Sequence, residues 1–364
     1  MKRLHALVPV LSVVLTAVAC GSSGGDAVPD PGTGTSGGTS GATSGGTSGA
    51  TSGGTSGTSG ATSGGTSGAT SGGTSGTSGA MPAPLTIFTI VMENHDYAEI
   101  VGKPADAPYI NSLIDEYALA TNYNDSGVHP SLPNYLTLIS GAPQFGGGSD
   151  PLPTASGFPK AVDNLGTQLE TAKIPWRSYQ EGMGTACNLS NKSNPTGNYG
   201  PKHDPFLYFT DMQKTTPGLC AKNNVDYGEF AADLAAGTYR YMWITPNLTN
   251  DGHDPDPSVG GIPAQTLKTS DDWAKTNIAA IMASPVYLAN GVIFLTWDEA
   301  EGRSGAGSKE QVPMIVITPK LKGAKMKSVT AYSHKSYLAT VEDLLKLPRL
   351  PSVMNETAMS EFFK

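Results

Sequence analysis

From residue 34 to residue 80 the chain is built only from Gly, Ser, Thr and Ala, in Thr-Ser-Gly and Gly-Thr-Ser-Gly-Ala repeats. This tract decides where a core can form. A segment without aromatic or branched apolar side chains cannot bury enough surface to offset the entropy of ordering its backbone. Residues 1–80 hold 22 of the 45 glycines, and the remaining 284 residues use glycine at an ordinary level. Globular structure is therefore expected only in residues 85–364, a length that suits one large α/β domain. The 23 basic and 31 acidic residues leave a net charge of -8 with no Lys/Arg cluster, so a grip on nucleic acid through phosphate neutralisation is not expected.

Residues 1–20 read as a signal peptide. Lys2 and Arg3 supply the positive region, and residues 6–14 supply an apolar stretch too short to remain as a membrane span. The segment ends Ala17-Val18-Ala19-Cys20, similar to the lipobox of bacterial lipoproteins, in which the cysteine is lipidated. Ordinary cleavage with Cys20 incidental is the other reading; both export the protein. Residues 21–84 then form a flexible tether, with a root-mean-square span on the order of 45 Å. A membrane is expected to be met only through the lipid anchor. The other two cysteines, Cys187 and Cys220, are expected to form a disulfide closing a loop of about 33 residues, stabilising by about 3 kcal/mol.

The folded part opens with the nearly unbroken apolar run Leu85-Thr86-Ile87-Phe88-Thr89-Ile90-Val91-Met92, suited to a central parallel strand. Tyr109, Ile110, Leu113, Ile114 and Tyr117 follow at helical spacing behind Asp106 and Pro108. Strand-like runs at 239–245, 292–297 and 312–318 alternate with helix-like runs at 271–283 and 334–347. This alternation predicts a mostly parallel central sheet with helices on both faces.

Three of these strands run into polar residues: Glu93-Asn94, Asn247 through Asn250-Asp251-Gly252-His253-Asp254, and Asp298-Glu299-Ala300-Glu301. In open α/β sheets, sites form where the carboxyl ends of strands open into loops. Beyond His5 in the leader, five histidines (His95, His129, His203, His253 and His334) sit beside acidic, Asn or Ser residues. Ser131, in His129-Pro130-Ser131-Leu132-Pro133-Asn134-Tyr135, is placed at or just before a helix start, because Pro133 favours the first turn. Free amide groups there favour a phosphate or a developing anion, although an ordinary Ser cap is the commoner fate of such a residue.

Taken in order, Met92-Glu93-Asn94-His95, His129 to Tyr135, Lys202-His203-Asp204-Pro205-Phe206, Thr245-Pro246-Asn247 with Asn250-Asp251-Gly252-His253, Trp297-Asp298-Glu299, and Tyr332-Ser333-His334 with Glu342-Asp343 resemble the phosphoesterase family of bacterial phospholipases C and acid phosphatases. That family belongs to the alkaline-phosphatase-like superfamily. The resemblance implies Ser131 as the nucleophile that takes the phosphoryl group. It implies Glu93, Asn94, Asp298 and Glu299 around one metal, with Asp251, His253 and His334 around a second position. His129, Asn134 and His203 would support these ligands or touch phosphate. Glu93-Asn94 and Asp298-Glu299 stand where many relatives carry an aspartate and an Asp-His pair, so one or two divalent ions, among Zn, Mn, Fe, Mg and Ca, remain open. The expected partner is a small phosphate ester, with a monoester favoured over a diester or phospholipid because no long amphipathic insertion is evident. A non-catalytic surface binding module is the remaining alternative. Oligomeric state and pH optimum are not legible.

Overall fold

A computed structural model of the protein describes residues 83–190, 198–214, 218–253, 263–300 and 310–363. The leader with Cys20, the whole of the repeat tract, and Asp254 and Glu301 lie outside the described residues. The strands are β1 Thr86–Met92, β2 Ala118–Ala120, β3 Tyr123–Asn124, β4 Trp176–Gln180, β5 Asn224–Asp226, β6 Tyr241–Thr245, β7 Gly291–Trp297, β8 Met314–Ile317, β9 Lys327–Ser328 and β10 Tyr332–Ser333. Eight form one sheet in the order β5-β4-β6-β1-β7-β8-β2-β9, and β3 and β10 pair separately.

Every residue of β1, β6 and β7 is buried. Because successive side chains point to opposite faces, both faces of the sheet's centre are covered, as the unbroken apolar runs require. These three strands are neighbours and parallel, with Met92 of β1 opposite Trp297 of β7. Their carboxyl ends therefore open side by side, which brings Glu93, Asp298 and the turn after β6 to one place. Helix His334–Leu345 packs on this centre, where its Tyr337 hydroxyl lies 2.6 Å from Thr89 Oγ1.

The mostly parallel sheet agrees with the expected α/β class, but β8 runs antiparallel to β7 and to β2. A parallel return normally needs a crossover element. Among the described residues between β7 and β8 there is no helix to supply one. Helix Pro108–Glu116 also starts differently from its sequence signals. Its N-terminal residue Ala107 makes no side-chain cap, and the amides of Tyr109 and Ile110 donate instead to the Asp271 carboxylate of helix Pro263–Ala283, at 3.0 and 2.8 Å. That helix begins eight residues before its expected start at Asp271. Helix Ser131–Ser140 starts at Ser131 and ends on Gly141, whose φ of 70° is the left-handed stop that glycine accepts readily. Among the described residues no helix is long and apolar enough to cross a membrane.

Candidate active site

β1 ends in a sharp polar turn that asparagine suits. Asn94 has a φ of 35°, in the left-handed region that Asn enters more easily than most residues. So bent, its backbone N–H donates to Asp298 Oδ1 at 3.0 Å and its Nδ2 to Glu299 Oε1 at 3.2 Å. The same turn presents Glu93 to Ser131, whose hydroxyl donates to Glu93 Oε2 at 2.9 Å. Ser131 is the first residue of its helix and buried, and its hydroxyl does not cap that helix. Leu132 N–H is bound instead by Asp150 Oδ1, at 2.9 Å. A role as ordinary helix cap is therefore not what holds Ser131.

Glu93, His203 and Asp251 each offer a ligand atom, the three lying within 4.8 Å of one another, and all are buried. His203 reaches the cluster from the 3-10 turn Pro201–His203, with its ring stacked on Tyr135 at 5.3 Å. Asp251 follows β6, and its backbone carbonyl accepts from Glu93 N–H at 3.0 Å. Its loop is fixed by Glu181, which accepts from Asn247 N–H and from Asn250 Nδ2, each at 3.0 Å. Glu93 Oε1, both His203 ring nitrogens and Asp298 Oδ2 are buried without a hydrogen-bond partner, although His203 Nε2 stands 3.0 Å from Glu93 Oε1. Orphaned buried acceptors are costly. A carboxylate and imidazole set in this state fits a divalent cation, with Glu93, His203 and Asp251 as its holders and Asp298 beside them.

The other side of the site is closed by its own hydrogen bonds. Glu299 Oε2 accepts from Asn134 Nδ2 at 3.0 Å and lies 2.6 Å from His129 Nδ1, while Oε1 takes the Asn94 amide. The His129 side chain is 43% exposed and forms the rim. His334 is buried behind Asp298: its Nε2 donates to the Asp298 carbonyl at 2.6 Å and its Nδ1 accepts from Tyr123 hydroxyl at 2.9 Å. Both ring nitrogens are thus engaged, and the ring as placed offers no lone pair to an ion. His253 touches the cluster through its backbone N–H, which donates to Asp251 Oδ1 at 3.0 Å.

Burial would raise the Glu93 carboxyl, but His203 and then Lys202 outweigh it and hold it well below the ordinary range. Asp298 goes well above its ordinary value through burial, then through repulsion from Glu93 and Glu299. Glu299 is pushed up to about 7 by burial and then Glu93. Burial and the crowding of like charges thus favour the protonated forms of Asp298 and Glu299, and a cation bound beside them would act in the opposite direction.

The sequence reading brought Ser131, Glu93, Asn94, Asp251, Asp298, Glu299, His129, Asn134 and His203 to this place by residue. It gave no role to Lys202, Asp150 or Glu181. Lys202 Nζ donates to Ser131 Oγ at 3.3 Å and stands 3.5 Å from both Glu93 Oε2 and Asp150 Oδ2. Burial opposes its charge, but Glu93 and then Asp150 overcome this and hold the ammonium above its ordinary value. The only available signal was its place next to His203. Cys187 and Cys220 are joined in a disulfide, and the chain between them carries Lys202 and His203.

The fold is similar to a Vibrio parahaemolyticus structure described as a protein in the alkaline phosphatase superfamily, with a TM-score of 0.52, 13% identity, and coverage of 76% of this chain and 71% of that one. It is also similar to the lipoteichoic acid synthase LtaP from Listeria monocytogenes, with a TM-score of 0.53, 8% identity, and coverage of 75% and 74%. Residues 103–348 match the phosphoesterase family, and the chain belongs to that family. A probable acid phosphatase from Kluyveromyces lactis is 31% identical over 72% of this chain and 58% of its own length. An acid phosphatase from Aspergillus fumigatus is 28% identical over 72% and 55%. A phosphatidylinositol-3-phosphatase from Mycobacterium tuberculosis is 27% identical over 78% and 84%. The chain thus spans little more than half the length of the two fungal relatives it matches.

Proposed function

We propose that the protein is an exported, metal-dependent phosphatase that hydrolyses phosphate monoesters through a phosphoseryl intermediate on Ser131. The observation that carries this reading is the Ser131 hydroxyl, buried at a helix start and donating to Glu93 beside the Glu93, His203 and Asp251 cluster. The relatives named acid phosphatase and phosphatidylinositol-3-phosphatase support it, since both names denote removal of a phosphoryl group from an ester. A divalent ion held by Glu93, His203 and Asp251 would supply the positive charge that makes a serine hydroxyl a usable nucleophile and neutralises phosphoryl oxygens.

In the first step Ser131 Oγ bonds to phosphorus and the ester P–O bond breaks; the serine proton ends on the departing alkoxide. Glu93, held anionic, aims the hydroxyl by accepting from it. In the second step water attacks phosphorus, the bond to Ser131 Oγ breaks, and inorganic phosphate leaves with the serine restored. Asn94, Glu299 and Asn134 keep the β1 turn and the serine helix in register throughout.

The organisation proposed with it is a leader at 1–20 lipidated at Cys20, a tether at 21–84 and the catalytic domain at 85–364. Cys20→Ser should release the protein to soluble fractions or block its processing, whereas unchanged membrane association would argue against the anchor.

The deciding experiment is hydrolysis of a chromogenic phosphate monoester by the full-length protein and by Ser131→Ala, each metal-replete and with chelator. Turnover should fall at least about a thousandfold in the variant, with melting temperature and metal content near wild type. Near-normal turnover by Ser131→Ala would sink the covalent route. Faster cleavage of a diester or of phosphatidylcholine than of the monoester would replace the monoesterase reading with a phospholipase C one. No wild-type turnover with any added divalent ion would favour the binding module.

A further inference from the structure

We propose that Lys202 is a catalytic residue whose ammonium binds the transferring phosphoryl group at Ser131. This rests on the reading of Ser131 as the nucleophile.

The argument is geometric. Lys202 Nζ has two carboxylates near it, Glu93 Oε2 and Asp150 Oδ2, but each lies 3.5 Å away, beyond the usual distance of a tight charge-assisted bond. Its hydrogen bond is to Ser131 Oγ at 3.3 Å. A lysine serving only to balance a buried acid would close on that acid, because an incompletely paired buried charge is costly. Here the ammonium is suspended between two acids, and hydrogen-bonding capacity remains for an incoming oxygen. Among the described residues, no other Lys or Arg forms an ion pair with an acid of the site.

Its support is shared with the nucleophile. Asp150, which steadies Lys202 through one carboxylate oxygen, binds Leu132 N–H through the other, at 2.9 Å. Leu132 directly follows Ser131, so cation and hydroxyl are tied to the same carboxylate. A phosphoryl group attacked by Ser131 Oγ would carry its peripheral oxygens within reach of Lys202. The chemistry recognised is a phosphate dianion, whether on a soluble ester or on a lipid headgroup.

The test uses the full-length, metal-replete protein and its Lys202→Met and Lys202→Arg variants. It reads kcat/KM on a chromogenic monoester, the inhibition constant of inorganic phosphate, metal content and melting temperature. Lys202→Met should lose about a hundredfold or more in kcat/KM, as removal of one oxyanion donor does. It should weaken phosphate inhibition about tenfold or more at unchanged metal content, and Lys202→Arg should recover part of both. Phosphate inhibition within about twofold of wild type in Lys202→Met would overturn the proposal, as would a loss fully explained by lower metal content. If Ser131→Ala stayed active while Lys202→Met lost phosphate affinity, the nucleophile reading would fail and the phosphate contact would stand. Comparing a soluble monoester with a phosphoinositide monoester in vesicles then separates the two sources.

Discussion

His203 and His334 are equally hidden from water, one 1% and the other 0% exposed, yet their rings are used in opposite ways. Neither His203 nitrogen makes a hydrogen bond, and its Nε2 stands 3.0 Å from Glu93 Oε1. The His334 nitrogens are both satisfied, by Tyr123 and by the Asp298 carbonyl. The contrast extends to the acids beside them: Glu93 Oε1 makes no hydrogen bond and has the His203 ring 3.0 Å away, whereas both Glu299 oxygens are hydrogen-bonded. One side of the site is an unfinished polar cluster that a cation would complete, and the other is a finished network that holds it in place. Residue type alone does not separate a ligand from a support; the state of its remaining lone pairs does.

The largest effect should come from the unfinished side. Asp251→Asn or Glu93→Gln should abolish bound metal at ordinary concentrations and lower turnover by more than about a thousandfold, measured as metal content alongside monoester hydrolysis. If either variant kept full metal and activity, the contrast between the two sides would be misplaced.

What the sequence revealed of this contrast follows from its physics. β1 and β7 were legible because a long apolar run ends abruptly in charge, and the helix at Ser131 because Pro133 and Gly141 mark its ends. β2, with three residues, and β4, where Arg177 and Ser178 interrupt the apolar pattern, leave no periodic signal. The reversal of β8 depends on what lies between strands, and the cap on helix Pro108–Glu116 comes from Asp271, more than 150 residues away. His203 and His334 look alike in sequence because their difference lies entirely in their neighbours. Lys202 stands within one of the motifs but takes no role from it, because a single basic residue beside a histidine shows no function until the fold brings it to Ser131.

The unfinished side is delivered by a stapled loop, which gives the next effect. Replacing both Cys187 and Cys220 with Ser should cost about 3 kcal/mol through the freed chain entropy of the unfolded state, read by denaturant unfolding. Once refolded and metal-loaded, the variant should retain most intrinsic activity. A stability unchanged by the double substitution would show that the loop carrying His203 is held by its packing alone.

The finished side should reveal itself in acid. The His334 imidazole is lowered from 6.5 to about 4, chiefly by burial, so between these values the unfolded chain binds more protons than the folded one. Its contribution is therefore complete above about pH 6.5 and is lost as pH falls through about 4, reaching about 3 kcal/mol. Glu299, raised from 4.5 to about 7, has the opposite sign and favours the fold as it takes up a proton over that window. In metal-free protein, His334→Asn should flatten the fall of stability between pH 6.5 and 4 relative to wild type. An unchanged slope would mean the ring is not held neutral by the fold.

The smallest expected effect is the sharpest test of the comparison. Glu299 was placed among the metal ligands by resemblance, but its oxygens already serve Asn94, Asn134 and His129. Glu299→Gln keeps one acceptor oxygen and turns an NH2 toward groups that are themselves donors, so the β1 turn and the serine helix lose part of their shared support. A support acting through others typically costs about 10- to 100-fold in metal affinity or activity, and saturating metal should recover occupancy. Titrating a divalent ion into Glu299→Gln and Asp251→Asn side by side separates the cases: the first should fill at higher concentration and regain turnover, the second should do neither. If Glu299→Gln could not be loaded at any concentration, Glu299 would itself be a ligand. The boundary between the unfinished and finished sides would then have to be redrawn to include it.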